Sequence, residues 1–209
     1  MQVSAVSRTG ARGAIGLVVA ATLALAGCSR PAPSTSPEPT TDESPPTASY
    51  LCTPEGGAPT PCTPEQFTEQ ERMTVLYGEA EKVFRKWFGE KARLFRAGGT
   101  DRATPVMVAT TGGPYQAAEL LILKDFAAKG LRAEGGDIKL AKVSRAPGAA
   151  SYGYEVALTV CINARSVEIV QQDKPSGKQG SATAGTVYFK RDGDQLKAWD
   201  AQEKVVKSC

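Results

Sequence analysis

Apolar positions fall into three regimes along this 209-residue chain. Residues 14–26, AIGLVVAATLALA, are one apolar run. Residues 29–50, SRPAPSTSPEPTTDESPPTASY, are mostly Pro, Ser and Thr with three acids. From residue 63 onward the apolar residues recur with regular periods. Thr63-Pro64-Glu65-Gln66 is a helix start, with Thr at the N-cap, Pro at the first position and Gln three after the cap. Leu76, Ala80, Val83, Phe84, Trp87, Phe88, Leu94 and Phe95 then follow at helical spacing, and Gly98-Gly99 ends the run. Residues 100–113 read as irregular, with TPVMVAT as a candidate short strand, and a second helix is predicted over about 114–129.

The period then changes from helical to alternating. DIKLAKV opens a strand series, and SYGYEVALTVCIN (151–163) places Tyr152, Tyr154, Val156, Leu158, Val160 and Ile162 on one face. ARSVEIVQQ reads as the next strand, and QDKPSGKQGS (172–181) as a polar loop. TAGTVYFKR and QLKAWDA flank the turn signal Arg191-Asp192-Gly193-Asp194. The expected fold class is α+β: two main N-terminal helices packed on a curved, mostly antiparallel sheet of about five strands. Three segments follow: 1–27 as a leader, 28–62 as a tether ending in a short cysteine loop, and 63–209 as a single domain.

The opening segment reads as an address. Residues 1–13 hold Arg8, Arg12 and no acid, and the apolar run behind them is about 13 residues long. That is too short to cross a bilayer core of about 30 Å as a helix, and it has the form of a secretory signal peptide. Leu25-Ala26-Gly27-Cys28 stands directly behind it and resembles a bacterial lipobox. The resemblance implies cleavage before Cys28, a diacylglycerol on its sulfur, and attachment to the extracytoplasmic face of the cell membrane by more than one acyl chain. The Pro-rich stretch that follows cannot bury enough apolar area to offset its ordering entropy. Its prolines favour extended geometry at about 3.1 Å per residue, which suits a stalk.

Cysteine counting supports an exported chain. Four cysteines remain besides Cys28: Cys52, Cys62, Cys161 and Cys209. Two disulfides are expected, and three pairings are open. Cys52–Cys62 with Cys161–Cys209 is favoured, because the first closes the short loop CTPEGGAPTPC and the second ties a central strand to the chain end. A metal site is rejected, since there is no His and no C-x-x-C pair.

Composition removes further chemistry. The net charge is +3, and two of the cations lie in the leader, so the mature chain is nearly neutral and has no electrostatic reason to seek nucleic acid. The absence of His removes the commonest general base and metal ligand. SGKQGS lacks the glycine and hydroxyl pattern of a phosphate loop, and no motif asks for a cofactor.

The order of elements resembles the cone-shaped domain of the nuclear transport factor two-like superfamily, and the small actinobacterial lipoproteins that carry a version of it. The resemblance covers about residues 64–209 and rests on EAEKVFRKWF, AAELLILKDFAAKG, VALTVCIN, GTVYFKRDGDQLKAWDAQ and the closing VVKSC. It implies a domain used by isomerases, by dehydratases and by non-catalytic partners, the enzymes placing an acid inside the cone, often with His or Tyr. The sheet candidates for such chemistry are Tyr152, Tyr154, Tyr188, Glu155, Glu168 and Asp200, with Glu155 and Glu168 as the imaginable carboxylate pair. Alternating polar residues on a strand are usually its solvated face, so no catalytic residue is assigned. The candidate cavity lining is Trp87, Tyr152, Tyr154, Val156, Leu158 and Val160. The expected function is a non-catalytic, membrane-anchored module that binds a small apolar ligand or a protein partner. The alternatives are an isomerase or hydrolase acting on an apolar ligand, and an accessory subunit of an envelope secretion or conjugation complex.

Overall fold

A computed structural model describes residues 49–54, 57–151, 153–172 and 174–209. The leader, the lipobox, the stalk up to residue 48 and Tyr152 lie outside the described residues. The chain opens with a small hairpin, β1 (Tyr50–Cys52) and β2 (Thr60–Cys62), closed by the Cys52–Cys62 disulfide. This hairpin is pinned to the next element: the Tyr50 ring lies 5.4 Å from that of Phe67, and the Gln70 side-chain amide bonds both backbone groups of Thr53. That element is α1 (Pro64–Arg96), which begins with the expected capping box between Thr63 and Gln66.

TPVMVAT forms a helix, α2 (Pro105–Thr110), and not the strand proposed from its residues. The reason lies in its first residues. The Met107 N–H donates to Thr104 Oγ1 and Pro105 occupies the first turn, the same start signal that opens α1. The expected second helix is present as α3 (Gly113–Ala128). One long helix therefore dominates, in place of two main ones: α1 has 33 residues and α3 has 16.

The strand count also departs from expectation. After α3 come β3 (Leu131–Glu134), β4 (Lys139–Arg145), β5 (Val156–Asn163), β6 (Glu168–Gln171), β7 (Lys174–Gln179), β8 (Ala182–Asp192) and β9 (Gln195–Val206). The described residues hold nine strands in three antiparallel sheets, ordered β1-β2, β3-β6-β7 and β4-β5-β8-β9, and these do not close into a barrel. The single sheet of about five strands is thus replaced by a main sheet of four and a smaller sheet of three. The extra strands come from weak patterns. β7 lies in the segment expected as a polar loop; at the edge of its sheet it is mostly exposed, so it needs no apolar face.

The main sheet buries the face of β5 that bears Val156, Leu158, Val160 and Ile162, paired on β8 with Phe189, Val187, Gly185 and Thr183. Against it α1 lays Leu76, Tyr77, Ala80, Phe84, Trp87 and Leu94, joined by Met107 from α2 and Tyr115 and Leu123 from α3. Trp87, Phe84, Phe189 and Met107 are among the largest fully buried side chains. Each such side chain contributes about 1.5–3 kcal/mol relative to exposure.

The start of α3 is fixed by a bulge. Tyr188 pairs with Asp200 and Phe189 with Ala198, so Trp199 is the extra residue of β9. The Trp199 ring lies on the Gly112–Gly113 backbone, and a Cβ at Gly113 would fall 2.4 Å from the indole nitrogen. Gly113 also has φ of 52°, which a side chain would strain. The Gly112 N–H donates to Ala198 O at 2.9 Å and completes the join. At the other end of the sheet, Cys161–Cys209 ties β5 to the C-terminus. Both disulfides follow the pairing favoured from sequence.

Candidate functional site

Two features meet at the C-terminal half of α1. The first is an apolar hollow of about 220 Å³ between α1, α3 and the two larger sheets. Phe88, Ala92 and Phe95 of α1 and Phe126 of α3 face Ala133, Ile138, Ile162, Val167 and Ile169 across it. These residues meet where β3 and β6 bring Ala133 and Ile169 up to the C-terminal half of α1, next to Ile162 of the main sheet. Lys91, Ser181 and Thr183 are its polar lining.

The second feature is a buried polar cluster that shares Lys91 with the hollow. Trp87 and Lys91 are one helical turn apart on α1, and Tyr115 and Glu119 are one turn apart on α3, so each helix offers two side chains from one face. Lys91 Nζ donates to Glu119 Oε1 at 2.6 Å, with the side chains 17% and 4% exposed. Trp87 Nε1, Tyr115 OH and Glu119 Oε2 are buried beside one another, with Tyr115 within reach of both Trp87 and Glu119, but none completes a well-formed hydrogen bond among the described residues. Glu203 of β9 stands opposite Gly185 on the same inner face of the sheet.

Electrostatics holds this cluster in a definite charge state. Burial works to lower the Lys91 pKa, but attraction by Glu119 and Glu203 and the hydrogen bond to Glu119 outweigh it and leave it raised. Burial pushes the Tyr115 phenol well above its usual value, and the charges of Glu119 and Glu203 add to that. Crowding by the protein raises the Glu203 carboxyl, partly offset by Lys91 and reinforced by Glu119, although Glu203 is exposed to solvent. The ammonium stays charged at neutral pH and the phenol stays neutral. Both groups keep their protons, so neither serves as a general base at neutral pH, and Lys91 with Glu119 forms an ion pair in an apolar setting.

The residues singled out from sequence are dispersed. Trp87 is fully buried beside the polar cluster and does not line the hollow. Val156, Leu158 and Val160 are core residues packed under α1, so that part of the expected cavity face is filled by side chains. Tyr154 lies on the opposite face: its hydroxyl donates to Asp200 Oδ2 at 2.9 Å and its ring lies 5.1 Å from that of Tyr188. Glu155 and Glu168 do not meet. Glu155 precedes β5 and accepts from the Arg191 backbone, whereas Glu168 opens β6 in the other sheet. Lys91, Tyr115 and Glu119 were not anticipated. The available signal was a glutamate inside the apolar run YQAAELLIL, four residues after a tyrosine.

Among the described residues no helix is long and apolar enough to cross a membrane, and no cluster of three or more His, Cys, Asp or Glu is placed to hold a metal ion. No protein-family model matches the chain, and no curated protein matches it in sequence.

Proposed function

We propose that this chain is an extracytoplasmic bacterial lipoprotein, anchored through an acylated Cys28, whose folded domain is a non-catalytic binding module for a small apolar molecule. The observation that carries the binding reading is the hollow of about 220 Å³. It exceeds the roughly 150 Å³ at which an apolar cavity accepts benzene, and it is smaller than the roughly 300 Å³ at which drug-sized pockets begin. Anchorage rests on Leu25-Ala26-Gly27-Cys28 behind the apolar run, and the two disulfides suit an oxidising compartment. A long helix laid across an open antiparallel sheet accords with the nuclear transport factor two-like resemblance. Catalysis is the weaker reading, because no carboxylate among the described residues lines the hollow.

A protein partner is the second reading, favoured by the outer side of α3. Leu121 is 69% exposed and Ile122 46%, on a helix that buries Glu119 instead. The anchor is tested by mass spectrometry of the protein released from native membranes. The expected mature chain begins at Cys28 with its acyl chains, and any other start overturns the anchor. For the module, toluene should raise the unfolding temperature of the wild type and not of Ala92→Phe, which fills the hollow. An unchanged wild type overturns the ligand reading.

A further inference from the structure

We infer that the hollow selects an uncharged ligand of single-ring or short-alkyl size bearing one hydroxyl or carbonyl, and that Glu119 sets this selectivity by neutralising Lys91. The inference rests on the reading of the hollow as a binding site. Lys91 is the sole ionisable side chain lining it among the described residues. An unpaired ammonium at the edge of an apolar hollow is an anchor for a carboxylate or phosphate. Here that charge is already taken, since Glu119 holds it at 2.6 Å from a side chain that is 4% exposed. An entering anion meets a neutralised ammonium with a carboxylate behind it, and Glu203 adds a second negative charge acting on Lys91.

A cation fares no better. It would lose its hydration against apolar walls that offer no carboxylate. What remains to satisfy a polar end is the rim. Ser181 and Thr183 bring hydroxyls to that rim, each able to donate and to accept, so a single hydroxyl or carbonyl on the ligand finds a partner there. The volume of about 220 Å³ limits the apolar part to one ring or a short alkyl group, not a membrane lipid chain.

Benzyl alcohol and benzoate test this, because they share a ring and differ in charge. Binding is measured by titration calorimetry and ligand-observed NMR on the full chain carrying Cys28→Ser, so that no acyl chain competes. The alcohol should bind saturably and benzoate at least tenfold more weakly. Glu119→Gln, which releases the Lys91 charge, should narrow that ratio at least threefold by strengthening benzoate. Ala92→Phe should abolish binding of the alcohol. Benzoate binding the wild type as tightly as the alcohol overturns the charge selectivity and leaves the hollow a binding site. Binding of neither probe to a natively folded wild type overturns both readings. If Glu119→Gln fails to fold, the wild-type ratio and the Ala92→Phe result still decide.

Discussion

Replacing Glu119 with Ala leaves the Lys91 ammonium facing an apolar hollow without its carboxylate. Removing one member of a buried ion pair costs about 3–5 kcal/mol, because the other charge stays desolvated and uncompensated. Lys91 keeps 17% of its side chain exposed, so partial rehydration places the loss at the lower end, about 3 kcal/mol. For a domain of this size that lowers the unfolding temperature by about 6–12 °C. The double replacement Lys91→Met with Glu119→Leu removes both charges and should cost close to nothing. Arg85→Ala supplies the contrast: its pair with Glu81 is 55% and 44% exposed and is expected to contribute only about 0.3–0.5 kcal/mol. Urea unfolding of the four proteins, fitted with a common slope, reads all of these directly. A loss below about 1 kcal/mol for Glu119→Ala would refute the reasoning, since the pair would then behave as a surface bridge.

Two further outcomes follow from the same geometry. Cys209→Ser opens a loop of 48 residues between Cys161 and the chain end and should cost up to about 4 kcal/mol by chain entropy, read as a lower urea midpoint under non-reducing conditions. Glu203→Gln concerns pH: the folded carboxyl titrates above its ordinary 4.5, so its ionised form costs stability at neutral pH and the cost disappears as pH falls below that value. The variant should therefore unfold at a slightly higher temperature than the wild type at pH 7, with the difference closing near pH 4; an unchanged or lower temperature at pH 7 contradicts the assigned direction.

The parts of this fold legible in sequence are those where a local rule and tertiary burial agree. The Thr63 cap, the alternation of Val156 to Ile162 and the turn at Gly193-Asp194 each specify their element alone, and counting cysteines gives the number of disulfides. Where tertiary context decides, the residues mislead. TPVMVAT has strand-forming composition, yet its Thr-Pro start and its fit beneath α1 make it helical. Lys174–Gln179 is polar because it pairs at an exposed edge. The candidate site was the least legible part. Lys91 and Glu119 lie 28 residues apart, and a charge on a helix is normally assigned to solvent. Only the packing of α3 on α1 turns Glu119 inward and leaves Leu121 outside.

The measurement closest to the central claim is a toluene titration followed through the methyl NMR signals of the full chain carrying Cys28→Ser. The account predicts saturable shifts at Ile138, Ile162, Val167 and Ile169, which line the hollow, with smaller or no shifts at exposed Val75 and Val108. Shifts that are linear in toluene, or that centre on the exposed residues and leave Ile162 and Ile169 unmoved, would contradict it.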